Sequence, residues 1–345
     1  MLRGAWREAW YLTYRSLGSD KTRDSTLSGY RNSCTLSTHN RVSPKQTCRS
    51  LRLFTIMCTM SAQRADKLKS VLEAVPAGFV VDARWLENHG VSRFLTRKYV
   101  DRGWLERLER GVFRRPSPQS VPPDWKSCVL SLQKIMGYHV HVGGMSALDL
   151  QGYRHYLPLG AHPPVWLYGS DTPTWLSRIT LDAPLISRPL SLFDDTSLGL
   201  TEYKNGNAPT LPWGWALRIS SPERAILEAL DELPAHKSFH NLDMVFEGLA
   251  TMRPRQLTAL LQSCRKIKLR RLFFVFADRH KHAWRERINP DDFNLGTGDR
   301  ALITGGKIHP RYRIVVPPEF VDTPTGDADG PEYAYRRDGL SRGDW

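Results

Sequence analysis

Arg93, Thr96 and Arg97 fall three and four residues apart, and Arg107, Arg110, Arg114 and Arg115 follow them closely. A guanidinium is a planar fork of donors. It meets a phosphate, or the O6 and N7 of a guanine, through two parallel hydrogen bonds. The first three residues sit at helical spacing, on the side away from Leu95 and Tyr99. They would meet base edges or nearby phosphates. The four later arginines bracket a turn at Arg110-Gly111, where reachable cations are enough to hold a backbone. The chemistry implied is recognition of a polyanion.

A second cationic stretch lies between Arg253 and Arg287, with 11 basic and 2 acidic residues. Arg265, Lys266, Lys268, Arg270 and Arg271 alternate there with Leu269, Leu272, Phe273 and Phe274. Two readings stand. One is an amphipathic helix with a solvated cationic face. The other is a second nucleic-acid surface, extending a DNA footprint or touching RNA.

Residues able to do bond-breaking chemistry do not assemble into a set. Tyr168-Gly169-Ser170-Asp171 has the Gly-Ser start of a nucleotidyltransferase site, which needs two carboxylates on a following strand to hold Mg²⁺. The downstream run Thr180-Leu181-Asp182-Ala183-Pro184 supplies one carboxylate and a strand-unfriendly proline, and reads as a turn. Asp182 with Glu202-Tyr203-Lys204 has the spacing of a metal-dependent nuclease, but Asn205-Gly206-Asn207 follows at once and predicts a solvated loop. Gly296-Thr297-Gly298 and Thr304-Gly305-Gly306-Lys307 lack the spacing of a P-loop and read as turns flanking a strand. His139, His141, His155, His162 and His309 do not complete a ligand set. His139 and His141 share a strand face, and surface or core positions explain them. His280 and His282 read as a basic helix end. No catalytic residue, metal or cofactor is expected.

The elements that would carry the arginines can be placed by period and punctuation. Leu68, Val71, Leu72 and Val75 predict a helix from Arg64 to Val75, ended by Pro76-Ala77-Gly78. Asp82 caps a second helix, Ala83–Asn88, which buries Trp85 and Leu86. Ser92 caps a third, Arg93–Arg102, which Gly103 stops. Trp104–Glu109 and Val112–Arg115 predict a hairpin. Helices followed by a basic two-stranded wing are the layout of a winged helix-turn-helix.

The proline-rich run 116–123 marks a linker. Beyond it the pattern is mixed. Helices are expected from Asp124 to Met136 and at Met145–Leu150, Arg224–Leu230, Asn241–Ala250, Pro254–Cys264 and Lys266–His280. Strands are expected at Tyr138–Val142, Val165–Tyr168, Trp215–Ile219 and Tyr312–Val316. Ser220-Ser221-Pro222-Glu223 has a proline near N1 and the spacing of a capping box. The fold class expected is α+β. A winged helix-turn-helix over 60–116 and a linker over 117–123 precede a larger mixed α/β domain over 124–320, and a loose tail fills 321–345.

The chain carries +14. Residues 1–59 hold +7, residues 60–118 hold +5, and the remainder holds only +2. A localised basic excess is a footprint for a polyanion. The leader 1–59 is rich in Ser, Thr, Arg and Asn without any period, and disorder is expected there. Its Arg-rich, acid-poor composition also fits a transit peptide, and Met57 or Met60 is the simpler start, so its +7 is set aside as evidence for DNA binding. Five cysteines without a Cys-x-x-Cys pair fit a reducing cytoplasm. No apolar run approaches a membrane span.

With these blocks in order, the chain resembles the AbiEi-type antitoxins of bacterial type IV toxin–antitoxin systems. The similar elements begin with Arg102-Gly103-Trp104-Leu105-Glu106-Arg107, leading to Arg110-Gly111-Val112-Phe113. Gly144-Met145-Ser146-Ala147-Leu148 and Ser221-Pro222-Glu223-Arg224-Ala225-Ile226-Leu227-Glu228 follow. Gly298-Asp299-Arg300 and the Gly305-Gly306 turn running to Tyr312-Arg313-Ile314-Val315-Val316-Pro317 close the series. The similarity covers roughly residues 62–320. It implies a winged helix that binds inverted repeats in its own promoter. It also implies a second domain that opposes a nucleotidyltransferase toxin without necessarily forming a stable complex with it. The competing readings are a stand-alone winged-helix regulator and a DNA-targeted metal-dependent nuclease.

Overall fold

The computed structural model describes residues 66–117, 123–153, 163–204 and 214–321. The expectations for the leader, for most of the linker, for residues 322–345 of the tail, and for His155, His162 and Asn205-Gly206-Asn207 lie outside the described residues.

The first helix, α1, is described over 66–74 and buries Val71. Pro76 has no N–H to continue it. Strand β1, Val80–Asp82, follows, and Asp82 then caps α2, Ala83–Asn88, by accepting from the Trp85 N–H at 2.7 Å. Helix α3, Arg93–Asp101, starts at Ser92, whose hydroxyl accepts from the Leu95 N–H at 3.4 Å. Its end is a Schellman arrangement: Trp104 N–H donates to the Tyr99 carbonyl and Gly103 N–H to that of Val100, each at 2.9 Å. Gly103 supplies the required positive φ, 72°. Strands β2, Glu106–Glu109, and β3, Val112–Arg114, form a hairpin around Arg110-Gly111, with Gly111 at φ 78°. Strand β3 sits at the centre of an antiparallel sheet of order β1-β3-β2.

Helix α4, Trp125–Leu130, runs on through a π-turn, Ser131–Ile135. Strands β4 (Val140–Val142), β5 (Val165–Gly169), β6 (Leu185–Arg188), β7 (Leu200–Tyr203) and β8 (Leu217–Ser220) build a mixed sheet of order β6-β5-β4-β8-β7. Pairs β4–β8 and β5–β6 are parallel, and β4–β5 and β7–β8 antiparallel. Helices α5 (Gly144–Leu150), α6 (Pro222–Asp231), α7 (Phe239–Gly248), α8 (Pro254–Ser263) and α9 (Ile267–Arg279) complete the body, with a short ribbon of β9 (Lys307–Ile308) and β10 (Val315–Val316).

Three expectations need correction. Glu202 and Tyr203 lie on β7 rather than in a solvated loop, because β7 pairs along its length with β8. The capping box at α6 does not form. Ser221 is the N-cap with no side-chain cap bond, the Ser220 hydroxyl donates to Glu228, and Glu223 is held by Arg253. Helix α9 is no amphipathic surface helix. Leu269, Arg271 and the whole run Leu272 to Ala277 are buried. A run apolar on every side, as 272–277 is, belongs in a core, and here Phe276 meets Phe320 at 4.9 Å and Phe246 at 5.1 Å between ring centroids.

The α1–β3 segment is joined to the rest by polar bonds with apolar surroundings. Val80 N–H donates to the Ser131 hydroxyl at 2.9 Å, and the Trp85 indole to the Ile135 carbonyl at 3.0 Å. Asp82 accepts on its second oxygen from the Tyr138 hydroxyl at 2.8 Å and from the Trp175 indole at 3.4 Å.

Candidate nucleic-acid interface

A cleft of about 1140 Å³ opens between α3 and the β2–β3 turn, and Arg93, Arg97, Arg107 and Arg110 line it. All four are exposed. Tyr99 and half-buried Leu95 anchor the inner side of α3, so at 3.6 residues per turn Arg93 and Arg97 must point outward. Among the described residues Arg97, Arg107 and Arg110 have no ion-pair partner. Arg93 pairs with Glu87 at 2.9 Å, but the pair is solvated and worth at most about 1 kcal/mol. A phosphate can displace it.

The other three expected contacts are placed differently. Thr96 is buried at the cleft floor, and its hydroxyl donates to the Ser92 carbonyl at 3.1 Å. Arg114 is buried too, because β3 is the central strand, and it pairs with Glu106 at 2.6 Å. Arg115 turns back to α1, donating to the carbonyls of Leu72 and Val75. These side chains hold the hairpin and helices together; they do not face the cleft mouth.

One residue lines the cleft unannounced by the sequence, and a second, Phe94, stands on α3 outside the cleft lining. Arg178 lines the same cleft from the far side of the chain. It follows the 3-10 turn Thr174–Ser177, which buried Trp175 pins to Asp82. Its guanidinium stands 3.9 Å from Glu109 on the hairpin and is half exposed. No local signal links position 178 to position 109. Phe94 is 65% exposed on α3, and the Lys98 ammonium lies 4.6 Å from its ring centre. Its helical spacing from Arg97 was a readable signal. Glu87, Asp101 and Glu109 also line the cleft, so its five arginines are partly offset.

The second basic stretch divides into two surface cations held in ion pairs and two arginines turned onto backbone carbonyls. Arg265 pairs with Asp194 at 2.6 Å and Lys266 with Asp231 at 2.7 Å. Arg270 is spent on the carbonyls of Leu261, Gln262, Cys264 and Asn294. Arg271, 2% exposed, donates to the carbonyls of Leu295, Gly298 and Arg313. Lys268 is half-buried, and burial lowers its pKa. The physical reason is the core position of α9, whose cations satisfy carbonyls of irregular chain packed against it.

The most concentrated buried charge is elsewhere. Glu228 accepts from His141 Nε2 at 3.0 Å and Arg224 Nε at 2.7 Å on one oxygen. Its other oxygen accepts from the Ser220 hydroxyl at 2.7 Å and the Gly144 N–H at 2.9 Å. Arg224 also donates to the carbonyls of Thr196 and Leu198. Burial alone would raise the Glu228 carboxyl, but His141 and Arg224 outweigh it and hold its pKa at about 2. Burial pushes His141 below its ordinary value against the pull of Glu228. Every oxygen lone pair facing a donor is used, so the cluster fastens α6 and α5 to β4 and β8.

The remaining candidates for chemistry stay apart. Asp182 accepts from the N–H of Ala183 at 2.9 Å and from that of Trp125, the first residue of α4, at 2.7 Å. It precedes β6 at one sheet edge, while Glu202 lies on β7 at the other, four strand spacings or roughly 19 Å away. One ion cannot bridge them. Among the described residues no group of three His, Cys, Asp or Glu side chains is placed to hold a metal. Cys128 is buried, which pushes its thiol up to about 12. No helix of the described residues is long and apolar enough to cross a membrane.

A cationic cleft thus stands beside a three-helix, three-stranded segment joined to a larger mixed body, and the class of the chain follows from family comparison: a transcriptional regulator of the antitoxin kind. Two family profiles match it: that of the transcriptional regulator AbiEi antitoxin N-terminal domain over residues 64–159, and that of the transcriptional regulator AbiEi antitoxin of type IV toxin–antitoxin systems over residues 162–317. The chain belongs to the AbiEi antitoxin family. It is similar to the crystal structure of the RV2827C protein from Mycobacterium tuberculosis, with 14% identity and a TM-score of 0.44, covering 69% of this chain and 86% of that one. No curated protein matches it.

Proposed function

We propose that residues 60–116 act as a winged helix-turn-helix, with α3 entering a major groove and the β2–β3 hairpin serving as the wing. In this reading the protein represses its own operon by binding inverted repeats in the promoter. The body over 124–320 counters a nucleotidyltransferase toxin encoded beside it, and the proline-rich 117–123 joins the two parts. The observation that carries the reading is the convergence of exposed Arg93, Arg97, Arg107 and Arg110 on one cleft in a chain of this family. Arg93 and Arg97 meet base edges or flanking phosphates, and Arg107, Arg110 and Arg178 hold the backbone.

The experiment has two arms. Fluorescence anisotropy on the DNA upstream of the protein's own reading frame, at rising salt, should give sequence-selective binding with a steep salt slope. Co-expression with the neighbouring nucleotidyltransferase-like frame should relieve its growth arrest. Equal affinity for unrelated duplexes overturns the regulatory half. Growth arrest that persists with the antitoxin expressed overturns the other.

A further inference from the structure

We infer that Phe94 is a specificity-determining residue that packs against the 5-methyl group of a thymine in the operator half-site. This rests on the reading of α3 as the recognition helix. Lone exposed apolar side chains are ordinary on protein surfaces, so exposure by itself says nothing. Position does. Phe94 stands one residue from Arg93 and three from Arg97, on the outward side of α3, while the inner side is taken by Leu95 and Tyr99. It is 65% exposed, against 45% for Ile308, the other large exposed apolar residue among those described.

The ring is not loose. The Lys98 ammonium covers it at 4.6 Å from the centre, one helical turn on. A cation over the ring restrains it before any partner arrives. The surroundings specify the partner. Lys98 lies over the ring and Arg93 and Arg97 neighbour it along α3, which suits an anionic surface, and a water-facing phenyl among them needs an apolar spot within that surface. In a major groove that spot is the thymine methyl, which no other base presents. The expected base contact on α3 therefore moves from Thr96, whose hydroxyl is committed to the Ser92 carbonyl, to Phe94.

The test uses the full chain and a duplex that it selects from a randomised pool. Each thymine of that duplex is replaced in turn by deoxyuridine, which lacks only the methyl. The wild-type protein should bind about fourfold more weakly when the methyl facing Phe94 is removed, the factor expected for one buried carbon. Phe94→Ala should bind thymine and deoxyuridine duplexes equally, with an unchanged urea midpoint. Full methyl discrimination retained by Phe94→Ala overturns the inference. So does a selected duplex in which no deoxyuridine matters. Loss of self-association in Phe94→Ala with discrimination intact also overturns it, in favour of a contact between two copies. Failure to select any duplex overturns the recognition-helix reading itself, and is distinguishable from the rest.

Discussion

Replacing Glu228 by glutamine keeps the shape of the most heavily bonded carboxylate in the described chain and removes its charge. The consequence follows from which donors share which oxygen. His141 and Arg224 converge on one oxygen, Ser220 and Gly144 on the other. A glutamine has one acceptor oxygen, so its amide nitrogen must face one of these donor pairs. If it faces the second pair, the Ser220 hydroxyl can rotate and accept, but the Gly144 N–H cannot. One buried donor is then orphaned, at about 1–3 kcal/mol. Arg224 also keeps its charge at 2% exposure, bonded to carbonyls and lying over the Phe193 ring but without its carboxylate. Removing one member of a buried ion pair costs about 3–5 kcal/mol. The second figure already contains the lost hydrogen bonds of the pair, so the two overlap and a loss of at least about 3–5 kcal/mol is expected.

The acid side gives an independent figure. The folded pKa of Glu228 is about 2, against 4.5 for an ordinary glutamate. At ~1.4 kcal/mol per pH unit the difference is about 3 kcal/mol. A depressed carboxylate contributes fully above its unfolded pKa and loses that contribution as pH falls from 4.5 towards 2. His141, lowered by burial, acts in the same sense from below its ordinary 6.5. Urea unfolding followed by tryptophan fluorescence is the assay. At neutral pH Glu228→Gln should lower the midpoint by about 1 M or more, for an m-value of ~3 kcal/mol/M. Its stability should also change less than the wild type's between pH 4.5 and the acid limit. The control is Glu202→Gln, whose side chain is 62% exposed and 3.6 Å from Lys134, and which should stay within about 0.5 kcal/mol. A Glu228→Gln protein within about 1 kcal/mol of wild type would refute the assignment of this cluster as the fastening of the body.

Arg97→Ala and Arg110→Ala should each make the plot of log affinity against log salt shallower by about 0.9, with unchanged urea midpoints; anisotropy titrations at several salt concentrations check this, and an unaltered slope removes the residue from the interface. Asp82→Ala deletes the cap of α2 and strands the Tyr138 hydroxyl and the Trp175 indole, so a loss of about 2–4 kcal/mol is expected in urea unfolding. Arg271→Met leaves the carbonyls of Leu295, Gly298 and Arg313 without their donor and should cost about 2–4 kcal/mol. Its salt slope on DNA should equal that of the wild type; a shallower slope would restore Arg271 to a nucleic-acid surface.

Local chemistry was legible where it is decided locally. Asp82 and Ser92 as caps, Gly103 as a stop and Arg110-Gly111 as a turn are short-range matters, and the elements they bound lie within a residue or two of expectation. Strand β1 was missed because three buried residues show no alternation, and its strand state depends on pairing with β3, some thirty residues on. Strand β7 was missed because the Asn-Gly-Asn run after it speaks for a loop, while its pairing with β8 spans a long excursion. The mixed α+β character of the body was readable from period; the order β6-β5-β4-β8-β7 was not, since nothing in a strand's own residues names its neighbour.

The harder question is which arginines are available. A guanidinium satisfies a phosphate and a cluster of backbone carbonyls with the same five donors, so residue type cannot separate a binding arginine from a structural one. Burial separates them. Arg114 and Arg115 read as wing cations because they follow Arg110 at strand spacing, yet Arg114 lies on the central strand and Arg115 reaches carbonyls at the end of α1. Arg265 to Arg271 form the densest basic run of the body, and packing consumes most of it. Arg97, Arg107 and Arg110 remain open because α3 buries only one side and the hairpin turn projects beyond its sheet. Net charge therefore overstates the interface, and counting it from the +5 of residues 60–118 would still include two arginines that face inward. The usable charge belongs to the few cations that are unpaired, as Arg97, Arg107 and Arg110 are among the described residues, or held only in solvent-exposed ion pairs, as Arg93 is. Arg178 joins them through a fold contact with Asp82 that no stretch of local sequence encodes.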